Sequence, residues 1–232
     1  MLTRAFNDIQ GSPPYWCGMT GDLSRLLIAL GAIALIPAAL AAMPPASDWE
    51  IGPWVRGKNY SVGMQDTPRA GPQGAVVIDF PLAGEGEWDA LTTRIGSLEG
   101  VATITVRYRI DAAPGVRFVA VETPQEPASV SLYFQRAGDN WTGRGKYGSY
   151  RWYSPQHSVT PLAVGEHSIA VRLDDRWGSV DGKPSELREA AFADAKANAV
   201  RIGLAFGSAS RRSHGVAATA PARFTLLSVE FD

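Results

Sequence analysis

Cysteine is almost absent from this sequence. Cys17 is the single instance, so the chain beyond residue 42 has none. That excludes a disulfide framework and every zinc site built on thiolates. Histidine is nearly as scarce: His157, His167 and His214 are the only three, and no two stand at ligand spacing. The helical histidine-pair zinc motifs are thereby excluded as well. Neither sign of charge dominates, with 22 Lys and Arg against 23 Asp and Glu. A nucleic-acid partner, which calls for a surplus of cations on one face, is not expected. There is no G-x-S-x-G nucleophile elbow. Gly143-Arg-Gly-Lys-Tyr-Gly148 lacks both the Lys-Ser/Thr ending and the following helix of a phosphate loop. With no complete catalytic motif, the weight falls on binding rather than catalysis.

Long apolar runs are also missing. The longest, LLIALGAIALI at residues 26–36, falls well short of the roughly 20 residues a spanning helix needs. Arg25 precedes it, and Pro37 with Ala38-Ala39-Leu40-Ala41-Ala42 follows. A positive flank, a short apolar middle and an A-x-A site make a secretory signal. Residues 1–42 are therefore expected to be a signal peptide with an over-long N-terminal extension, MLTRAFNDIQGSPPYWCG, upstream of an alternative start at Met19. The expectation is an exported chain, periplasmic or extracellular, with no membrane span after cleavage.

What is present is alternation. Residues 43–75 are rich in Pro and Gly and read as an irregular arm, with one strand near Trp54 to Arg56 and with Trp49 and Trp54 pinned to the body. From Val76 the period is two: Val101 to Asp111 places Ala102, Ile104, Val106, Tyr108 and Ile110 on one face and Thr103, Thr105, Arg107, Arg109 and Asp111 on the other. The same parity runs through Val76/Ile78/Phe80, Val130/Leu132/Phe134, Ile169/Val171/Leu173 and Val200/Ile202/Leu204/Phe206, and further strands are read at residues 116–122 and 224–231. In the last of these the apolar parity changes between Leu226 and Leu227, which predicts a bulge. Residues 185–198 break the pattern: they are Ala-rich, follow Pro184, offer Ser185 as N-cap and carry a stripe of Leu187, Ala190, Ala191, Ala195 and Ala199. The predicted fold is all-β: a two-sheet antiparallel sandwich of jelly-roll type over residues 76–232, with one short α-helix near 185–198.

Two surfaces are candidates. In LYFQRAGDNWTGRGKYGSYRWYSPQH, residues 132–157, Leu132 and Phe134 belong to the core, whereas Trp141, Tyr147, Tyr150, Trp152 and Tyr153 fall on both parities of a strand and cannot all be buried by one sheet. With Arg144 and Arg151 beside them they offer stacking and hydrogen bonds to a sugar; equally, such rings can plug the open end of a sandwich. The alternative is an outward face carrying Arg107, Arg109, Tyr133 and Gln135, with Arg172 and Arg201. Guanidinium forks and a phenol there would suit a lyase or hydrolase of an acidic polysaccharide, while arginine on a solvated strand face is also ordinary. No metal or other cofactor is expected, except that an end-loop calcium ion at Asp139-Asn140, Asp174-Asp175 or Glu230/Asp232 stays open.

The stretches SLYFQRAGDNWTG…YGSYRWYS and VRIGLAFGSASRRSHGVAATAPARFTLLSVEFD resemble the galactose-binding-like sandwiches found among secreted carbohydrate-binding modules. The likeness runs over residues 48–232 and is one of architecture, without a diagnostic motif. It implies a carbohydrate ligand held by an end loop or a concave face; an envelope protein with a purely structural role is the remaining alternative.

Overall fold

The computed structural model describes residues 43–232, so the secretory segment read at residues 1–42 lies outside the described residues. Strands of alternating polarity pair into two main antiparallel sheets, beside two short two-stranded ones, Phe118–Ala120 with Val216–Ala218 and Trp54–Val55 with Lys58–Asn59. The first runs in the order Trp49–Gly52, Ala90–Arg94, Ala199–Gly207, Ser129–Arg136, Arg151–Tyr153 and Gly178–Ser179, with Thr160–Pro161 also on the Ser129–Arg136 strand. The second runs Gly165–Arg172, Thr103–Ala112, Ala222–Phe231, Val76–Asp79 and Arg69–Ala70. Among the described residues no helix is long and apolar enough to cross a membrane.

The core lies between the sheets and is filled by the residues of inward parity. Leu91, Leu132, Phe134, Ile202, Leu204 and Phe206 come from the first sheet; Ile78, Ile104, Val106, Ile110, Phe224 and Leu226 come from the second. Trp88 stacks on Phe206 with centroids 3.7 Å apart and meets Phe224 edge-on at 5.4 Å. The predicted bulge is present: the register between the last strand and Thr103–Ala112 shifts between Leu226 and Ser228. A second shift, between Ala199 and Arg201, turns Val200 out of the predicted inward series and leaves it exposed.

Two local expectations differ from the structure. Residues 43–75 are less irregular than their composition suggests, because Trp49–Gly52 pairs with Ala90–Arg94 and Arg69–Ala70 pairs with Val76–Asp79. Trp49 is buried as expected, but Trp54 sits exposed on a small hairpin with Lys58–Asn59. The helix also begins later than read. Ser185–Leu187 is a separate 3₁₀ turn, Arg188 leaves the helical region (φ −144°, ψ 42°), and the α-helix spans Glu189–Ala197. Ser185 does not cap it; its hydroxyl accepts the Trp177 N–H at 3.1 Å. Leu187 is consequently exposed, and Phe192 and Ala195 are the helix residues that reach the core.

Candidate functional site

The site is built on the outer face of the first sheet, and strand register decides who stands on it. Arg151 lies opposite Gln135, Trp152 opposite Phe134 and Tyr153 opposite Tyr133. Directly paired residues point to the same face, so Arg151 and Tyr153 join Gln135 and Tyr133 outside, while Trp152 joins Phe134 in the core. On the other side of the same strand, Arg201 pairs with Gln135, Gly203 with Tyr133 and Ala205 with Ser131. Ala90, Thr92 and Arg94 extend these rows across the next strand. The floor is small where the rings are large. A Cβ on Gly203 would stand 2.2 Å from the Leu91 carbonyl oxygen and 2.8 Å from the Tyr133 ring. Only glycine therefore lets that phenol lie against the sheet. Tyr133, fully buried, shares a hydrogen bond with Thr92 Oγ1, and Trp141 and Tyr153 pack against its cluster with Ala90 and Ala205.

Asp139 ties this face to the loop above it. Its carboxylate accepts from Gln135 Nε2 (2.7 Å), from Arg151 Nη1 (3.0 Å) and from the Trp141 backbone N–H (3.2 Å). Both charged side chains are withdrawn from water, 4% exposed for Arg151 and 2% for Asp139. The backbone of Trp141 is held at φ +66°, a left-handed conformation that costs a bulky residue about 1–3 kcal/mol unless its surroundings impose it. Here they do so. The Arg151 guanidinium lies 4.2 Å from the Trp141 ring centroid, Arg151 Nη2 donates to the Trp141 carbonyl (3.3 Å), and Arg151 Nε donates to the Tyr153 hydroxyl (3.1 Å). Tyr133 meets Trp141 edge-on at 5.7 Å.

Above this platform opens a groove of about 980 Å³ whose walls include Tyr60, Trp141, Arg144, Arg151, Tyr153 and Arg212. A smaller cavity of about 300 Å³ adjoins it, reaches Gln135 and Asp139, and shares Val55, Arg56, Trp141 and Thr142 with it. Four of the predicted ring-and-arginine residues, Trp141, Arg144, Arg151 and Tyr153, thus come together. Trp152 does not: it is 0% exposed and packs on Phe192 at 4.8 Å, so it serves the core and offers no stacking face. Tyr147 and Tyr150 form a separate edge-on pair at 5.3 Å, with Arg136 over Tyr150 at 4.4 Å, and neither lines the groove.

The alternative face also separates. Tyr133 and Gln135 form the floor just described, whereas Arg107 and Arg109 stand on the second sheet, opposite Ser168 and Glu166. Arg109 pairs there with Asp111 at 2.9 Å, and Arg172 on the same sheet pairs with Asp174. These arginines share a parity with Tyr133 and Gln135 but not a sheet. Sequence reasoning missed Arg56 and Tyr60 of the hairpin region and Arg212, Ser213 and His214 of the loop after Ala199–Gly207, all of which line the groove. The one available signal was aromatic and basic residues interleaved in Trp54 to Tyr60 and the run Arg211-Arg212-Ser213-His214.

At the His214 end of the groove, carboxylates crowd together. His214 Nδ1 lies 3.0 Å from Glu122 Oε1. Burial, with Glu87 and Glu122 adding repulsion, pushes the Asp89 carboxyl up to about 8. Burial likewise raises Glu87, again with Glu122 adding to it. Among the described residues, no group of three or more His, Cys, Asp or Glu side chains is placed to hold a metal ion. Of the carboxylates considered for calcium, Asp139 is engaged by three donors and Asp174 by Arg172.

The fold and site define an antiparallel β-sandwich with an aromatic, arginine-rich groove on the outer face of one sheet. No protein-family model matches the chain, and no curated protein matches it. Solved structures similar to it include the following two. One is a non-crystalline-cellulose-specific carbohydrate-binding module, CBM28, with 12% identity and a TM-score of 0.39, covering 80% of this chain and 87% of the module. The other is xylanase 10C from Cellvibrio japonicus in complex with xylopentaose, with 10% identity and a TM-score of 0.38, covering 81% of this chain. This chain spans 28% of the xylanase's length. The assignment to the sandwich class rests on this chain's own strand pairing.

Proposed function

We propose that this chain is an exported, non-catalytic carbohydrate-binding protein that holds a glycan in the groove over the first sheet. The observation that carries the reading is Trp141, kept in a left-handed backbone conformation by Asp139 and Arg151 at the edge of an open groove that Tyr153 and Tyr60 also line. Strain maintained by a buried ion pair on a half-exposed indole supports a role in contact rather than in packing. Aromatic faces take the C–H face of a sugar ring, and guanidinium and amide groups take its hydroxyls. Export is supported by the secretory pattern at residues 25–42. The reading of a lyase or hydrolase at one Arg107/Arg109/Tyr133/Gln135 face loses its support, because those residues belong to different sheets.

The test is a glycan array followed by tryptophan-fluorescence titration of the hits, with Trp141→Ala and Tyr150→Ala in parallel. Trp141→Ala is expected to weaken binding at least tenfold while shifting the melting temperature by only a few degrees, and Tyr150→Ala is expected to leave affinity unchanged. No glycan response, or full affinity in Trp141→Ala, overturns the proposal.

A further inference from the structure

The chain as a whole is almost neutral, at net charge −1, yet the groove is not. Its walls carry Arg56, Lys58, Arg144, Arg151, Arg211 and Arg212, and no Asp or Glu lines it. Arg151 is neutralised from beneath by Asp139. Lys58 is within electrostatic reach of Glu87, and Arg211 of Glu126, both of which lie outside the walls. Arg56, Arg144 and Arg212 are left without an ion pair among the described residues.

Arg212 is the most informative of the three. It is half-buried, and its guanidinium donates to the Ser154 carbonyl and to Gln156 Oε1 (2.8 Å), both neutral acceptors. It also faces the Tyr153 ring at 5.9 Å. Burial lowers its pKa, the direction expected of a cation withdrawn from water without a counter-charge. A partly desolvated guanidinium costs free energy unless an anion arrives to pair with it.

We propose that the groove is specific for acidic oligosaccharides, whose rings carry carboxylate or sulfate groups, with Arg212, Arg144 and Arg56 pairing the anions while Trp141 and Tyr153 stack on the sugar rings. This rests on the carbohydrate-binding reading and narrows its ligand class. Planar guanidinium forks match oxyanions bidentately, and the interleaved aromatics supply the apolar ring contact that a bare phosphate or sulfate would leave unused.

The experiment is isothermal titration of the full chain with four probes of matched length: a neutral cello-oligosaccharide, an oligogalacturonate, a sulfated heparin-derived oligosaccharide and an oligothymidylate. The oligogalacturonate, the sulfated probe or both are expected to bind at least tenfold more tightly than the neutral probe, with an affinity that falls as salt rises. The preference between the two arms identifies which anionic group the groove takes. Arg144→Ala, an exposed change, and Arg212→Gln, which keeps a donor for Ser154, are each expected to lose about tenfold for the acidic probe and little for the neutral one, with folding checked by thermal melts. Equal or tighter binding of the neutral probe overturns this inference and leaves the carbohydrate reading standing. Binding of oligothymidylate as tight as that of the acidic sugars, or no binding of any sugar, overturns both.

Discussion

Replacing Asp139 should do two kinds of damage at once, and their sizes can be separated. Asp139→Ala removes the acceptor for Gln135 Nε2, Arg151 Nη1 and the Trp141 N–H together. Arg151, only 4% exposed, is left as a buried cation with the Trp141 carbonyl and the Tyr153 hydroxyl as its remaining partners. Breaking a buried pair from one side costs about 3–5 kcal/mol, against a total stability of roughly 5–15 kcal/mol for a domain of this kind. At about 2–4 °C per kcal/mol for this chain length, the melting temperature should fall by about 6–20 °C. Asp139→Asn keeps an acceptor for the turn at Trp141 but not the charge, and should fall between the wild type and Asp139→Ala. Asp139→Ala/Arg151→Met, which removes both charges and keeps an apolar side chain, should recover at least half of the loss, because the uncompensated cation is gone. The assay is urea denaturation followed by intrinsic fluorescence, with calorimetry for the melting temperature. If Asp139→Ala lies within about 1 kcal/mol of wild type, or if the double variant is no better than the sum of its single changes, the assignment of Asp139 as the charge-compensating anchor of the groove is wrong.

Three further outcomes are expected. Gly203→Ala places a methyl against the Leu91 carbonyl and the Tyr133 ring, so it should cost about 1–3 kcal/mol in urea denaturation; a neutral result would mean that the phenol does not lie on the sheet. Trp152→Ala should cost about 3–5 kcal/mol through a core cavity, while glycan affinity measured below its melting range stays unchanged, the opposite of Trp141→Ala. Asp89 takes up its proton more readily folded than unfolded, since burial holds its carboxyl near 8. Stability from this group is full below about pH 4, declines as the pH rises and is lost once the pH passes about 8. Asp89→Asn should therefore raise the melting temperature at pH 8.5 and change it little at pH 4; a gain that is the same at both values would contradict the assignment.

Much of the sandwich is legible in the chain because strand parity is a local property. The alternation at Ile104/Val106/Tyr108 and Leu132/Phe134 specifies which side chains turn inward, and the parity break after Leu226 marks the bulge where it occurs. The same reasoning overreached at residues 185–187, where apolar spacing suggested a helical stripe but backbone hydrogen bonding to Trp177 claims Ser185 and leaves Leu187 in water.

The stretch Trp141 to Tyr153 shows where local reasoning ends. That its rings fall on both parities, so that one sheet face cannot bury them all, follows from the order of residues alone. Which ring goes where depends on the partner strand: pairing with Ser129–Arg136 sends Trp152 inward beside Phe134 and leaves Arg151 and Tyr153 over Gln135 and Tyr133. Likewise, Arg107 and Gln135 share a parity in sequence but belong to different sheets in space. The alternation, the sandwich class and the near-zero net charge follow from the order and kinds of residues. Gathering Arg56, Arg144 and Arg212 around one groove, with Glu122 and Glu126 held behind its walls by His214 and Ser210, took the folded chain. The reason is physical: side-chain direction repeats every two residues along a strand, whereas the choice of neighbouring strand and the closing of loops over a sheet are settled by contacts between residues far apart in the chain.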